Sequence, residues 1–450
     1  RRPKMAQPAE SAVLTVESAL NELQAHSNMF FYRLLVFVTV LEVAWGATVI
    51  TPLFQKESLH KSFPFEKWQE GFLSSTIFLG WIFGASVCAT LSDRLGRLLF
   101  LRLSVGVHVF FGLAEAFAWT VELVLLCNVG VGFGLGGFSA VGFMLMLELC
   151  STDKRSFFGG FGAAQFDLGI ITLALASLVV QSWQGLSIVR LCLALSLFLG
   201  SYLLPESPHF FHVNGRVEET RASLDTVAKI CNQEKKTEDF EIAPATHSTM
   251  APVTDLFSTH LVRRTLCFMV MWFSVVMVYY GITFSAGDVF GGMVQNVLLF
   301  SLAEYPIQWP LTSWLMTKFG RRATIVGGFF ASGVCCVGSA VLPGLTQQIL
   351  ANAGRCLSAV SFSTLWVMTT ESFPTELRGA ALAVSNSSAR TAGLIAPLLA
   401  SSLSLGVRMG VMTGMCVLAG CVGLLLHDTS DLPLPEEERD VTSPKGYETL

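Results

Sequence analysis

Apolar residues along this chain gather into twelve runs of about 20 residues, the length a helix needs to cross the hydrocarbon core of a bilayer. The runs lie at about 34–53, 70–91, 98–119, 121–147, 157–180, 186–204, 262–284, 293–316, 323–343, 347–371, 380–404 and 407–426. Runs eight and ten are interrupted, by Glu304, Pro306 and Pro310 in one and Arg355 in the other. Two of the short polar breaks are alike. Leu91-Ser92-Asp93-Arg94-Leu95-Gly96-Arg97 separates the second and third runs, and Thr317-Lys318-Phe319-Gly320-Arg321-Arg322 separates the eighth and ninth. The second follows the first by 224 positions, counted from Asp93 to Thr317, which is half the chain. A charged Gly/Arg turn repeated once per half predicts an all-α polytopic membrane protein of twelve transmembrane helices in two similar six-helix bundles.

The polar stretches complete the plan. Residues 1–33 form a hydrophilic N-terminal segment with a short amphipathic helix over 11–24, and hold no apolar core of a cleavable signal peptide. The first bundle spans 34–204, a central loop 205–260, the second bundle 261–426, and an acidic, Pro-containing tail 427–450. Within the loop, 217–231 has helical periodicity, while 232–252 is polar without periodicity.

Composition agrees with a lipid solvent. Hydrophobic residues make up 52% of the chain and charged ones 14%, against roughly 25% charged in soluble domains. The net charge of −4 matters less than where the basic residues fall. Arg94, Arg97, Lys154, Arg155, Lys318, Arg321, Arg322 and Arg378 gather in alternate short loops. Basic loops stay on the cytoplasmic side, so both termini and both Gly/Arg turns are expected there, in a plasma-membrane protein. All eleven cysteines then lie in spans or on the cytoplasmic side, with no external pair for a disulfide. The sequon Asn386-Ser387-Ser388 falls inside run eleven and is expected to stay unglycosylated. No basic domain points to nucleic acid, and no nucleophile–base set, phosphate loop or metal-ligand spacing points to an enzyme, a metal or another cofactor. The glycines at 130, 132, 134, 136 and 137 follow no strand, so they suit close helix packing rather than phosphate binding.

Candidate chemistry sits where charge is most costly. An ionisable group at the centre of a bilayer costs about 2.5–3.5 kcal/mol on insertion scales, so each is a functional candidate by default. At about 1.5 Å per residue, Arg390 lies roughly 15 Å from the inner end of run eleven. Glu42, Asp167 and Glu304 are similarly deep, and Arg355 lies somewhat nearer the outer side. Arg390 can meet a substrate anion or an internal partner such as Glu304. Asp167 and Glu42 are also candidates for proton coupling.

Several stretches carry a family resemblance. Pro205-Glu206-Ser207-Pro208 follows run six, and Arg263-Arg264-Thr265-Leu266-Cys267 opens run seven ahead of Trp272-Phe273 and Tyr279-Tyr280-Gly281. Glu371-Ser372-Phe373-Pro374-Thr375-Glu376-Leu377-Arg378 closes run ten, and Leu432-Pro433-Leu434-Pro435 lies in the tail. In this order, over about residues 30–440, they resemble solute carrier family 22 of the major facilitator superfamily. The departures resemble its orphan branch. The loop 54–69 is short, without sequon or cysteine, and Ala89, Leu98, Asn128, Gln184, His209 and Phe210 stand where the family pattern differs.

The resemblance implies a transporter of small organic ions working by alternating access. Arg390 stands where the family's anion transporters are basic, so anions are favoured, although Glu304-Tyr305-Pro306 resembles the cation branch. The implied substrate-binding set is Arg390, Tyr280, Tyr279, Glu304, Arg355, Asp167, Glu42 and Trp272. Asp93, Arg94, Arg97, Arg321 and Arg322 are implied as a cytoplasmic gate. The alternative is a non-transporting receptor or scaffold with a protein partner, on the same fold.

Overall fold

The computed structural model describes residues 13–25, 27–233, 241–242, 252–374 and 377–429. Most of the polar stretch 232–252, most of the tail, Thr375 and Glu376, and 432–435 lie outside these residues.

Helices follow the apolar runs. In the first half they are α2 (Met29–Ser62), α3 (Lys67–Leu95), α4 (Arg97–Ala116), α5 (Val121–Leu149), α6 (Arg155–Val179) and α7 (Trp183–Gly200). A short α1 (Val16–Gln24) precedes them, and α8 (Pro208–Val213) and α9 (Val217–Ile230) follow. The second half comprises α10 (Val262–Phe284), α11 (Met293–Pro306), α12 (Thr312–Phe319), α13 (Arg321–Val341), α14 (Leu345–Ser372), α15 (Arg378–Ser402) and α16 (Leu405–Gly423). Nine helices among the described residues are long and apolar enough to cross a membrane by themselves. The helices of runs eight, ten and eleven are not among the nine, and they carry Glu304, Arg355 and Arg390. Run eight is split into two short helices, and α14 and α15 carry buried charged residues that lower their mean hydropathy.

Local chemistry sets the boundaries. Thr120 caps α5 by accepting from the Leu123 amide at 3.3 Å, and Ser182 caps α7 by accepting from Gly185 at 3.2 Å. Gly96 and Gly320 stand between consecutive helices at φ of 123° and 84°, where a side chain would be strained. Run eight is broken, because Pro306 and Pro310 each lack an amide hydrogen. Between α11 and α12 the backbone widens into a π turn over Ile307–Leu311.

Each half packs mainly on itself: α3 and α4 on α5, α2 on α6 and α7, α13 on α14 and α16, and α10 on α15 and α16. The glycine stripe of α5 divides between two neighbours. A Cβ on Gly132 or Gly136 would strike the α3 backbone at Ile77 or Trp81, and one on Gly130 or Gly134 would strike Phe111 or His108 of α4. Asn128 donates to the Leu73 carbonyl at 3.2 Å. All eleven cysteines are unpaired.

The first half also encloses an ion pair. Arg190 of α7 meets Glu115 of α4, with both side chains at most 1% exposed. Gln55 of α2 joins them, donating to Glu115 at 3.1 Å and to the Ser187 hydroxyl at 2.7 Å. Breaking a buried pair from one side strands the other charge, at a cost of about 3–5 kcal/mol. Glu115→Ala is therefore expected to lower the thermal unfolding midpoint of the purified full chain sharply. Adding Arg190→Met should recover most of the loss. An unchanged midpoint in the single variant would contradict the pairing.

Candidate functional site

Two groups of buried charges lie between the halves. In the first, α14 projects Arg355 toward α11 and α6. Its Nη1 is 2.5 Å from Glu304 Oε2, and its Nη2 is 3.7 Å from Asp167 Oδ1. The guanidinium also donates to Thr283 Oγ1 at 3.0 Å and to the Tyr279 hydroxyl at 2.5 Å, and its centre lies 4.3 Å from the Tyr279 ring centroid. Asp167 belongs to the first half; Glu304, Arg355 and Tyr279 belong to the second.

The second group surrounds Arg390 on α15. Its guanidinium lies 3.7 Å from the Trp81 centroid and 5.7 Å from that of Trp45. Glu42 of α2 is within electrostatic reach. Among the described residues neither Glu42 nor Arg390 makes a side-chain hydrogen bond or ion pair, although they are only 5% and 9% exposed. The Trp45 indole nitrogen is likewise buried without an acceptor. Phe78 stacks on Trp81 and meets Tyr280 edge-on with centroids 5.0 Å apart, so four aromatic rings line this group.

The proposed internal partner of Arg390 needs correcting. Glu304 takes Arg355, not Arg390, because α11 packs against α6 and α14 whereas α15 packs against α3 and α10. Trp272 belongs to neither group. It is fully buried within the second half, donates to Thr369 Oγ1 at 3.0 Å and packs edge-on against Trp366. Sequence reading did not single out Trp45, Trp81, Phe78, Glu115 or Arg190. Two signals were available for them: tryptophans in mid-span rather than at the interfacial belt, and further ionisable residues inside runs three and six.

The two Gly/Arg turns build matching clusters. Arg97 binds Glu148 at the end of α5 through Nη2 at 2.9 Å and pairs with Asp93, while Glu206 accepts from the Arg97 and Leu98 amides, each at 3.0 Å. Arg321 binds Glu371 at the end of α14 at 3.1 Å, and Asp428 accepts from the Arg321 and Arg322 amides at 3.2 and 3.3 Å. A carboxylate on a helix N-terminus meets both free amides and the positive end of the dipole. Burial pushes the Glu206 carboxyl upward, against the opposing effect of those amides. Arg94 is exposed, and Arg322 donates to the Leu424 carbonyl at 2.5 Å. The contacts described for each cluster stay within one half.

At the end opposite these turns the halves meet through α3 and α15. Ser75 donates to the Leu394 carbonyl at 2.7 Å, and a Cβ on Gly71 would come within 3.1 Å of Leu398 Cα. Beside this contact lies a polar cavity of about 260 Å³ whose lining includes Lys56, Glu70, Ala400, Asp288 and Arg408. Lys56 pairs with Glu70, and Arg408 with Asp288 at 2.5 Å. The cavity does not reach Arg390 or Arg355.

A profile of the sugar (and other) transporter family matches residues 16–436. The solute carrier family 22 member 15-like protein of Xenopus tropicalis is 30% identical over 396 residues, 86% of this chain and 81% of that protein. Solute carrier family 22 member 7 of Rattus norvegicus is 28% identical over 82% of this chain and 71% of its own length. Among solved structures, the inward open xylose transporter XylE from E. coli matches with a TM-score of 0.71 at 17% identity, covering 90% of this chain and 98% of that one.

The α3–α15 contact suggests a test. A side chain at position 71 has no room in the closed arrangement, so Gly71→Leu should pry this end open. A cysteine introduced by Ala400→Cys should then react severalfold faster with a membrane-impermeant thiol reagent than in the otherwise native chain. Equal labelling would mean that the contact does not hold this end shut.

Proposed function

The chain belongs to solute carrier family 22, within the sugar (and other) transporter family, and on that premise we propose that it carries small organic ions across the plasma membrane by alternating access, with anions favoured. The observation that supports this most is Arg390. It is a mid-membrane guanidinium without an acidic partner in contact, buried where α15 of the second half rests on Trp81 of the first. A guanidinium offers a carboxylate or sulfonate two parallel hydrogen bonds. Trp81, Trp45, Phe78 and Tyr280 supply flat apolar faces for the organic part of a substrate. Glu42 adds a second feature. A carboxylate close to Arg390 but unbonded suits a substrate that bears an amine beside its acid.

The gate works with this arrangement. With the α3–α15 end shut, the substrate would exchange with the side carrying the Gly96 and Gly320 turns, which the basic loops make the cytoplasm. In the opposite state the Arg97 and Arg321 clusters would be the surfaces brought together. Nothing in the site favours the receptor or scaffold alternative, because the unbonded charges are buried between the halves rather than displayed on a loop.

Uptake of a fluorescent organic anion into cells displaying the full chain tests the proposal. The expected result is saturable uptake that falls at least about tenfold in Arg390→Ala at equal surface level, since losing one partner of a buried charge pair costs about 2–5 kcal/mol. Glu42→Gln should spare a simple anion and weaken an amine-bearing acid. Uptake no greater than in mock cells, or an undiminished Arg390→Ala, would refute the anion reading.

A further inference from the structure

The three charges Asp167, Glu304 and Arg355 do not balance. Two carboxylates share one guanidinium in a place where all three side chains are at most 1% exposed. Arg355 is engaged elsewhere: Glu304 lies 2.5 Å from its Nη1, and its Nε and Nη2 donate to Thr283 and Tyr279. Asp167 is left 3.7 Å from the guanidinium, and neither of its oxygens makes a hydrogen bond of ordinary geometry, its nearby donors being that guanidinium and the Ser301 hydroxyl. The Ser301 hydroxyl on α11, also fully buried, lies beside Asp167 and makes no hydrogen bond of ordinary geometry. A bare carboxylate in such a place is among the costliest groups a protein can bury. A carboxylic acid is far cheaper there, and it can donate a hydrogen bond.

Among the described residues the surroundings offer no other neutraliser. From α10 come Tyr279 and Tyr280, from α11 Glu304 and Tyr305, and from α14 Arg355 and Cys356. From α2 comes Glu42, beside Gly162 and within reach of Arg390 of α15. From α7 comes Arg190, already held by Glu115. The π turn Ile307–Leu311 has no ionisable residue. The unengaged oxygens of Asp167 and Ser301 number three. Calcium and magnesium usually need six or more ligands, so the deficit suits a proton better than a metal ion.

The two acids also belong to different halves. Asp167 is on α6, while Glu304 and Arg355 are on α11 and α14. We infer that Asp167 is an exchangeable proton site, loaded when α6 closes against α11 and emptied when the halves part there. Closure brings a second carboxylate to an arginine whose single positive charge balances only one, and the proton removes the surplus charge. Parting admits water to Asp167, which then ionises and releases the proton. The organic ion and the proton thereby compete or cooperate through one closing motion. This rests on reading the chain as a carrier.

The test does not depend on transport. Infrared spectroscopy of the purified full chain in nanodiscs should show a protonated-carboxyl band at neutral pH that is absent from Asp167→Asn and retained in Glu42→Gln. Glu304→Gln keeps Asp167 but frees Arg355 for it, so the proton affinity read from the band's pH titration should fall about tenfold or more. That shift is one a merely structural aspartate would not produce, and size-exclusion profiles separate it from misfolding. A wild type without the band, a band that survives Asp167→Asn, or a band that sodium ions abolish would each overturn the assignment. Failure of organic-anion uptake with the band behaving as expected would count against the carrier reading and leave the proton site standing.

Discussion

A charge taken into hydrocarbon must find its partner inside the protein, and this requirement shapes both halves of the chain. Among the described residues five arginines lie buried in membrane-crossing helices, Arg97 at the start of α4 and four others. Arg190 is held by Glu115, Arg355 by Glu304, and Arg408 by Asp288, while Arg390 rests on Trp81. Glu115, Glu304 and Trp81 each come from a different helix than their arginine, and Asp288 from the turn between α10 and α11, so each contact fixes two segments against one another. In the low dielectric of the interior a stranded charge costs far more than any one apolar contact returns. The Glu115–Arg190 pair lies within one half and stiffens it. The Arg355 group spans two halves and joins them.

That difference divides the molecule into parts that stay and parts that can move. Within each half the seams are apolar and close, as where Gly132 and Gly136 let α5 lie against the backbone of α3. Between the halves the seams are fewer and more polar, formed by α3 with α15 and by α6 with α11. The break in run eight lies directly after Glu304. A helix widened by two prolines can change its angle there more readily than an unbroken one. The Arg97 and Arg321 clusters repeat one design, an arginine and two helix-end amides each neutralised by a carboxylate from elsewhere in the same half.

The aromatic group around Arg390 and the acidic group around Arg355 solve opposite problems. The first leaves charges unbonded, which is tolerable because rings shield the guanidinium and Glu42 lies nearby. The second pairs its arginine with Glu304, Thr283 and Tyr279 and leaves an acid over. Tyr279 and Tyr280, adjacent in sequence, face one group each: Tyr279 bonds Arg355, and Tyr280 packs with the rings that surround Arg390. A movement of α10 would therefore reach both groups.

Much of this was legible in the sequence, because the bilayer imposes a length and a polarity that composition records directly. The twelve runs, the repeated Gly/Arg turn and the motifs at Pro205-Glu206-Ser207-Pro208 and Glu371-Ser372-Phe373 identified fold and family before any coordinates. The cost of burying charge also marked Glu42, Asp167, Glu304, Arg355 and Arg390 as residues of interest. Their partners could not be read the same way. Depth along a helix follows from counting residues, but the face a helix turns toward its neighbours follows from packing among all of them. Only the tertiary arrangement decided that Glu304 takes Arg355, that Arg390 rests on Trp81, that Trp272 lies apart, and that Asp167 shares the arginine Glu304 holds.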